Sequence, residues 1–191
     1  MRLLDRTMTM TAGRDGEALG TPRALFEQAL DRHGAALQRL AAGYEADPGL
    51  REDLVQEILL QVWRSLEHFD GRCQLKTWVY RVAHNTAVDH IAARRRLRNT
   101  LDLDDIDEAH LADQVPTPEE RVDRQRLLQG VTDLVRRLRP LDRQVMLLYL
   151  EGEDARTTAE VSGLTPGAVA MRVHRVKALL ARRFGLAEDA R

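Results

Sequence analysis

Trp78, Tyr80, Arg81, His84 and Asn85 fall within two turns of one helical pattern, and Arg94, Arg95, Arg96 and Arg98 follow on the same stretch. Side chains of these types can hold unstacked nucleic-acid bases. Aromatic rings stack on bases, each contributing about 1–3 kcal/mol, and cations meet phosphate. An amide such as Asn85 can both donate to and accept from the polar edge of a flipped base. A blander reading stands beside this one. Trp78 lies in the apolar stripe of its helix, where an indole packs, and arginines at a helix end are favoured by the helix dipole. Four arginines together fit phosphate better than solvent alone.

A second group is acidic. Asp53, Gln56 and Glu57 share one helical face with Glu52 and Gln61. Carboxylate and amide acceptors on successive turns suit an Arg-rich partner through charge-assisted hydrogen bonds, and they equally suit a solvated face. A third group lies near the C-terminus, where Arg172, Arg175 and Lys177 follow Thr165, Ala170 and Met171 on an amphipathic pattern.

Other chemistries find no support. His33, His68, His84, His90, His110 and His174 include no pair at the i, i+4 spacing of metal ligands, and Cys73 is the only cysteine. No disulfide and no thiolate zinc site can be built, which fits a reducing cytoplasm. Cys73 reads as a spectator thiol, with redox sensitivity the lesser alternative. No glycine-rich phosphate loop and no GxSxG nucleophile motif is present. The expectation is no catalytic residue, no metal and no cofactor: a binding protein and no enzyme.

The elements that must position these groups are helices. Charged residues make up 31% of the chain and aromatics 4%, a composition of packed amphipathic helices. Thr21 and Pro22 form a start signal for a helix running toward Gly43, and Asp47 and Pro48 repeat it. Leu50, Leu54, Ile58, Val62 and Leu66 then recur every four residues, a period that excludes a strand. Asp70 and Gly71 make a turn, and a third helix runs from about Leu75 to Arg96. From Asn99 to Pro118 the periodicity fades and acidic residues accumulate, as in a solvated linker. Thr117, Pro118 and Glu120 give a capping-box start for a fourth helix that Pro140 closes. A short apolar helix follows to Gly152, then a brief helix around Thr157 to Val161, the turn Gly163 to Thr165, and a last helix from Pro166. Short helix, glycine turn and longer basic helix make a helix-turn-helix.

The expected fold is therefore all-α: two small helical domains joined by a flexible acidic linker, the second with a helix-turn-helix. Residues 1–20 read as a loose N-terminal tail without a signal-type apolar core, 21–98 as the first domain, 99–117 as the linker, 118–185 as the second domain and 186–191 as a C-terminal tail. The net charge of -1 requires a nucleic-acid binder to segregate its charges along the chain, and the basic run followed by the acidic stretch does so. The longest apolar run, Val145 to Leu150, suits a buried helix and is too short to span a bilayer.

Two strings carry a family resemblance. DLVQEILLQVWRSLEHFDG (Asp53 to Gly71) followed by LKTWVYRVAHNTAVDHIAARRR (Leu75 to Arg96) resembles region two of the extracytoplasmic function (ECF) sigma factors. RLRPLDRQVMLLYLEG (Arg137 to Gly152) followed by GLTPGAVAMRVHRVKALLARR (Gly163 to Arg183) resembles their region four. The resemblance implies a bacterial transcription initiation factor that brings core RNA polymerase to selected promoters. It implies that Asp53, Gln56 and Glu57 meet the clamp helices of the large polymerase subunit. It also implies that Trp78, Tyr80, Arg81, His84, Asn85, Arg94, Arg95 and Arg96, with the loop Asp70 to Gln74, capture the non-template strand of the minus-ten element. Thr165, Ala170, Met171, Arg172, Arg175 and Lys177 become the contacts to the duplex minus-thirty-five element. Partners implied are core polymerase, promoter DNA and, for many members, an anti-sigma factor.

The chain departs from its family where Ala170 and Met171 replace the usual basic residue and serine. Apolar side chains there can touch a thymine methyl but cannot make bidentate guanine contacts. Thr157 and Thr158 likewise replace acidic and branched apolar residues in the supporting helix, which predicts looser packing. Two other classes fit the helix-turn-helix alone: a dimeric regulator that binds duplex without polymerase, and a helical adaptor whose basic residues are ordinary surface.

Overall fold

The computed structural model describes residues 20–101 and 124–184, with side chains for 20–94 and 128–183. Residues 1–19, 102–123 and 185–191, which hold most of the acidic linker and of both tails and the capping box at Thr117 to Glu120, lie outside the described residues. Within them every element is helical.

Helix α1, Pro22–Tyr44, starts where Thr21 Oγ1 accepts from the Ala24 amide at 3.3 Å. Helix α2, Pro48–Ser65, starts where Asp47 Oδ1 accepts from Leu50 N at 3.0 Å. Each side chain satisfies an amide that the first helical turn leaves without a partner, and each following proline has no amide to satisfy. A single 3-10 turn, Leu66–His68, ends α2 and carries the chain toward α3, Leu75–Leu101. Residues 99–101, expected in the linker, continue α3, because no proline or glycine interrupts the run after Arg94.

Helix α1 packs against α2 and α3, and α2 against α3. Leu54, Ile58 and Val62 of the four-residue repeat are at most 1% exposed and meet Leu37, Leu40, Val79 and Ala83. Burying each of these aliphatic side chains contributes about 1.5–3 kcal/mol.

The second unit comprises α4, Arg124–Arg137; α5, Pro140–Leu150; α6, Ala155–Ser162; and α7, Pro166–Phe184. Helix α6 opens on Asp154, whose Oδ1 accepts from Thr157 N at 2.6 Å. It closes on Gly163, whose φ of +72° is the left-handed turn that a side-chain-bearing residue rarely adopts. Thr165 Oγ1 then accepts from Ala168 N at 3.2 Å and starts α7. Thr158, expected to loosen α6, is fully buried in it.

The apolar run in α5 is buried from Val145 to Leu148, whereas Tyr149 and Leu150 are exposed. The run has two duties. Val145 joins Ala159 and Val169 inside the helix-turn-helix, while Met146, Leu147 and Leu148 belong to a cluster shared with the first domain. The two domains thus meet directly, α1 against α4 and α5, and α3 against α6. At the closest point Leu147 lies over Gly43, where a Cβ atom would collide with its methyl groups.

Candidate nucleic-acid interface

Because α2 turns its aliphatic repeat inward, its opposite face is left to solvent. Glu52, Asp53, Gln56 and Glu57 are exposed there. Glu57 Oε2 lies 2.9 Å from Nδ1 of His90 on α3, which orients that carboxylate. One turn on, Leu60 and Trp63 are exposed at 46% and 39% on the same side, with Trp63 edge-on to Phe26 at 5.1 Å between ring centroids. The strip expected as purely acidic and amide therefore continues into an apolar end. Depletion of water by an aromatic and a leucine next to fixed acceptors is a feature of protein interfaces. Leu60 and Trp63 were legible as apolar residues off the main repeat.

Helix α3 separates the residues expected to act together on DNA. Asn85 is exposed. Trp78 is half-buried, donates from Nε1 to Ser65 Oγ at 2.9 Å and packs edge-on to Phe69, so it braces the α2–α3 turn. Tyr80 and His84 are buried at 3% and 1% exposure. His84 Nδ1 sits 3.1 Å from the Tyr44 hydroxyl, and Nε2 has no hydrogen-bond partner. Complete burial pushes the His84 pKa down to about 3, so the imidazole is neutral and offers no cation to phosphate. Arg81 donates from Nη2 to the Glu160 carbonyl of α6. Arg94 is drawn back to Glu45, which is itself buried. The side chains of Arg95 and Arg96 lie outside the described residues. Cys73, in the loop before α3, is half-buried and its thiol is pushed up by burial, away from the reactive thiolate.

Tyr80 and His84 line a cavity of about 310 Å³ between the domains, closed on the other side by Val131, Val135, Leu147 and Leu148. Polar contacts surround it. Arg39 Nε and Nη2 reach the two carboxylate oxygens of Glu151 at 2.8 and 2.6 Å. Lys76 Nζ lies 2.6 Å from Glu153, and Arg136 Nε donates to the Ala42 carbonyl at 2.8 Å. The Arg143 guanidinium stands 5.1 Å from the centre of the Tyr44 ring. None of these interdomain partners was singled out in the sequence, since each is an unremarkable surface charge until the two faces are brought together.

In the helix-turn-helix, α6 supports α7. Val169 and Val176 point inward, and Ala170 and Met171 point outward. Arg172 Nη1 lies 2.5 Å from Asp142 Oδ1, and Arg175 Nη2 lies 2.8 Å from both oxygens of the same carboxylate. Asp142, buried in the first turn of α5, thus draws both arginines to the α5 side of α7. Lys177 holds its ammonium 5.9 Å from the Tyr149 ring centre. Asp142 was not anticipated: an acidic residue in the first turn of a helix reads as a partner of the helix dipole.

The fold and these surfaces define a class, a two-domain helical protein with a helix-turn-helix in its second domain and an exposed polar-to-apolar strip in its first. Residues 29–97 match the Sigma-70 region 2 family and residues 128–180 the Sigma-70, region 4 family. The ECF RNA polymerase sigma factor SigF of Caulobacter vibrioides is 31% identical over 180 residues, covering 94% of this chain and 93% of the relative. The RNA polymerase sigma factor NccH of Alcaligenes xylosoxydans is 29% identical over 157 residues, covering 81% and 84%. Two solved structures share the fold. CnrH in complex with the cytosolic domain of CnrY matches with a TM-score of 0.61 and 24% identity, over 88% of this chain and 92% of that one. RpoE in complex with the anti-sigma factor NepR, from Bartonella quintana, matches with a TM-score of 0.66 and 23% identity, over 85% and 98%. The chain belongs to the ECF RNA polymerase sigma factors of the sigma-70 family. Its function is to direct RNA polymerase to promoters. Among the described residues no helix is long and apolar enough to cross a membrane, and no cluster of three His, Cys, Asp or Glu side chains is placed to hold a metal ion.

Proposed function

We propose that α2 docks this factor on core polymerase through Asp53, Gln56 and Glu57, extended by Leu60 and Trp63. In the same reading α3 presents Asn85 to a flipped base of the minus-ten element and α7 reads the minus-thirty-five duplex. The observation that carries this is that the exposed α2 strip and the exposed Asn85 lie on two helices packed against each other. A single small domain can thereby touch polymerase and a separated strand at once. Tyr80 and His84 support the strand-capturing helix from within, and Trp78 fixes its start. Arg95 and Arg96 meet phosphate beyond it, joined by Arg81 and Arg94 once Glu160 and Glu45 release them.

The protein acts without catalysis of its own, in the cytoplasm, and the chemistry of bond formation stays with the polymerase. The solved neighbours bound to CnrY and NepR support an anti-sigma polypeptide as a further partner. The deciding experiment mixes the full chain with core polymerase and asks for run-off transcription from a matched promoter, alongside Asp53→Lys with Glu57→Lys. The double variant is expected to keep its helical circular dichroism and lose polymerase binding. Undiminished binding would remove the assignment of α2, and duplex binding that needs no polymerase would favour a conventional regulator.

A further inference from the structure

Reading α7 as the helix that enters the major groove, as proposed above, leaves open which side chain discriminates bases. An arginine is the usual candidate, because its fork matches guanine O6 and N7. Here Arg172 and Arg175, the arginines in the first half of the helix, both reach Asp142, and Arg175 stays 65% exposed. Arg172 is 29% exposed and held on Asp142 at 2.5 Å, and Arg175 reaches the same carboxylate with one nitrogen at 2.8 Å from each oxygen. Asp142 is 8% exposed, so the anchor lies inside the domain and not at the helix tip.

Among the side chains that α7 turns outward is a large apolar one. Met171 is 74% exposed, the most exposed large hydrophobic side chain among the described residues. It stands at the second turn of the helix, the part that approaches base edges when a recognition helix docks. Met171, His174 and Leu179 line a groove of about 680 Å³ along this face, together with Arg172, Arg175 and Arg182. Met171 has no place in the apolar clusters that hold α7 to the rest of the protein, which take Val169, Val173, Val176 and Leu180. An unbranched thioether with three rotatable bonds can follow the curved floor of the major groove, and its small neighbour Ala170 leaves it room. The one apolar group that DNA displays in that groove is the thymine methyl.

We propose that Met171 is the specificity-determining residue of the minus-thirty-five contact and reads a thymine methyl, while Asp142 keeps Arg172 and Arg175 off the base edges. Arginines held on a carboxylate neither fork onto guanine nor neutralise phosphate, so discrimination falls to the apolar tip. Withdrawing one methyl group from an apolar contact is expected to weaken binding about fourfold, the factor that about 0.8 kcal/mol makes at 25 °C.

The test uses the full chain bound to core polymerase. Duplexes are selected from a pool randomised across the minus-thirty-five region, and each selected thymine is then replaced singly by deoxyuridine, which keeps every hydrogen-bonding group and removes only the methyl. At one position the replacement should lower affinity about fourfold for the native factor and leave it unchanged for Met171→Ala. Met171→Leu, which keeps apolar bulk, should retain most of the methyl dependence; being exposed, both variants should keep their helical circular dichroism. A uracil penalty of equal size in the native factor and Met171→Ala would overturn the proposal, as would a selected element with no methyl-dependent position. Polymerase-bound factor that selects no sequence at all in this region would overturn the reading of α7 as the minus-thirty-five helix, and the role of Met171 with it.

Discussion

Arg39 and Glu151 lie 112 residues apart in the chain and meet in a two-pronged ion pair that ties α1 to the end of α5. Arg39 is mostly exposed and Glu151 mostly covered. Lys76 and Glu153 repeat the arrangement between α3 and the turn after α5. Between these charges Leu147 sits on Gly43, and Tyr80 and His84 close the seam. The exposed strip of α2 lies away from the seam, so the closed chain leaves the proposed docking face open while the second domain covers part of α3.

The Arg39–Glu151 pair contributes only about 0.2–1 kcal/mol, because Arg39 is solvated. Reversing both acids converts attraction into repulsion and should part the domains. In the free chain carrying Glu151→Arg and Glu153→Arg, fluorescence energy transfer between labels on α2 and α7 is expected to fall. Raising salt should move the native chain in the same direction by a smaller amount. Unchanged transfer in the reversed variant would mean that the apolar contact alone holds the closure.

Asn85 is an exposed amide on α3 and the group proposed to meet a base edge. Replacing it with alanine removes a hydrogen-bonding amide of the kind worth about 1 kcal/mol or somewhat more, roughly a five- to tenfold effect. Asn85→Ala is expected to reduce promoter opening by that factor, read by permanganate reactivity of unpaired thymines, while polymerase affinity stays as it was. Equal loss in the two assays would place the defect in the fold and not in strand capture.

Asp142→Asn should free two guanidinium groups that now share one carboxylate. Freed arginines can neutralise additional phosphates, and each neutralised phosphate steepens the dependence of log K on log salt by about 0.9. The slope for the polymerase-bound variant is expected to steepen by about one to two, with poorer discrimination between the selected duplex and a scrambled one. An unaltered slope would show that the arginines leave Asp142 for phosphate in the native factor too.

His84 sets an acid limit on stability. Its pKa is about 3 in the folded chain and near 6.5 in the unfolded one, because burial disfavours the imidazolium. Below pH 6.5 the unfolded chain takes up a proton that the folded chain refuses, so stability falls as pH drops toward 3 and is unaffected by this group above neutrality. Between pH 7.5 and 5.5 the loss from this residue should be on the order of 1 kcal/mol, measured by urea unfolding. His33, whose pKa burial also lowers, adds in the same direction. In His84→Gln, which leaves Tyr44 a hydrogen-bonding neighbour without a titrating ring, that part of the pH dependence should disappear.

Local chemistry made much of the fold readable along the chain. Thr21, Asp47 and Thr165 cap helices because a side-chain oxygen two or three residues from an unpaired amide can always reach it, whatever the rest of the molecule does. Gly163 ends α6 because its backbone must turn left-handed there. The four-residue spacing of Leu54, Ile58 and Val62 declares a buried face for the same local reason.

Which faces meet was a matter for the tertiary structure alone. Periodicity marks a side of α5 as apolar but does not say that Val145 serves the helix-turn-helix and Leu147 the first domain. Arg94 on Glu45, Arg172 and Arg175 on Asp142, and Arg39 on Glu151 are pairings across 30 to 112 residues. In the one-dimensional chain each of these arginines is a free cation facing solvent or phosphate. Only packing decides which carboxylate stands within reach, and desolvation, which silences His84, does not exist until the helices have closed around it.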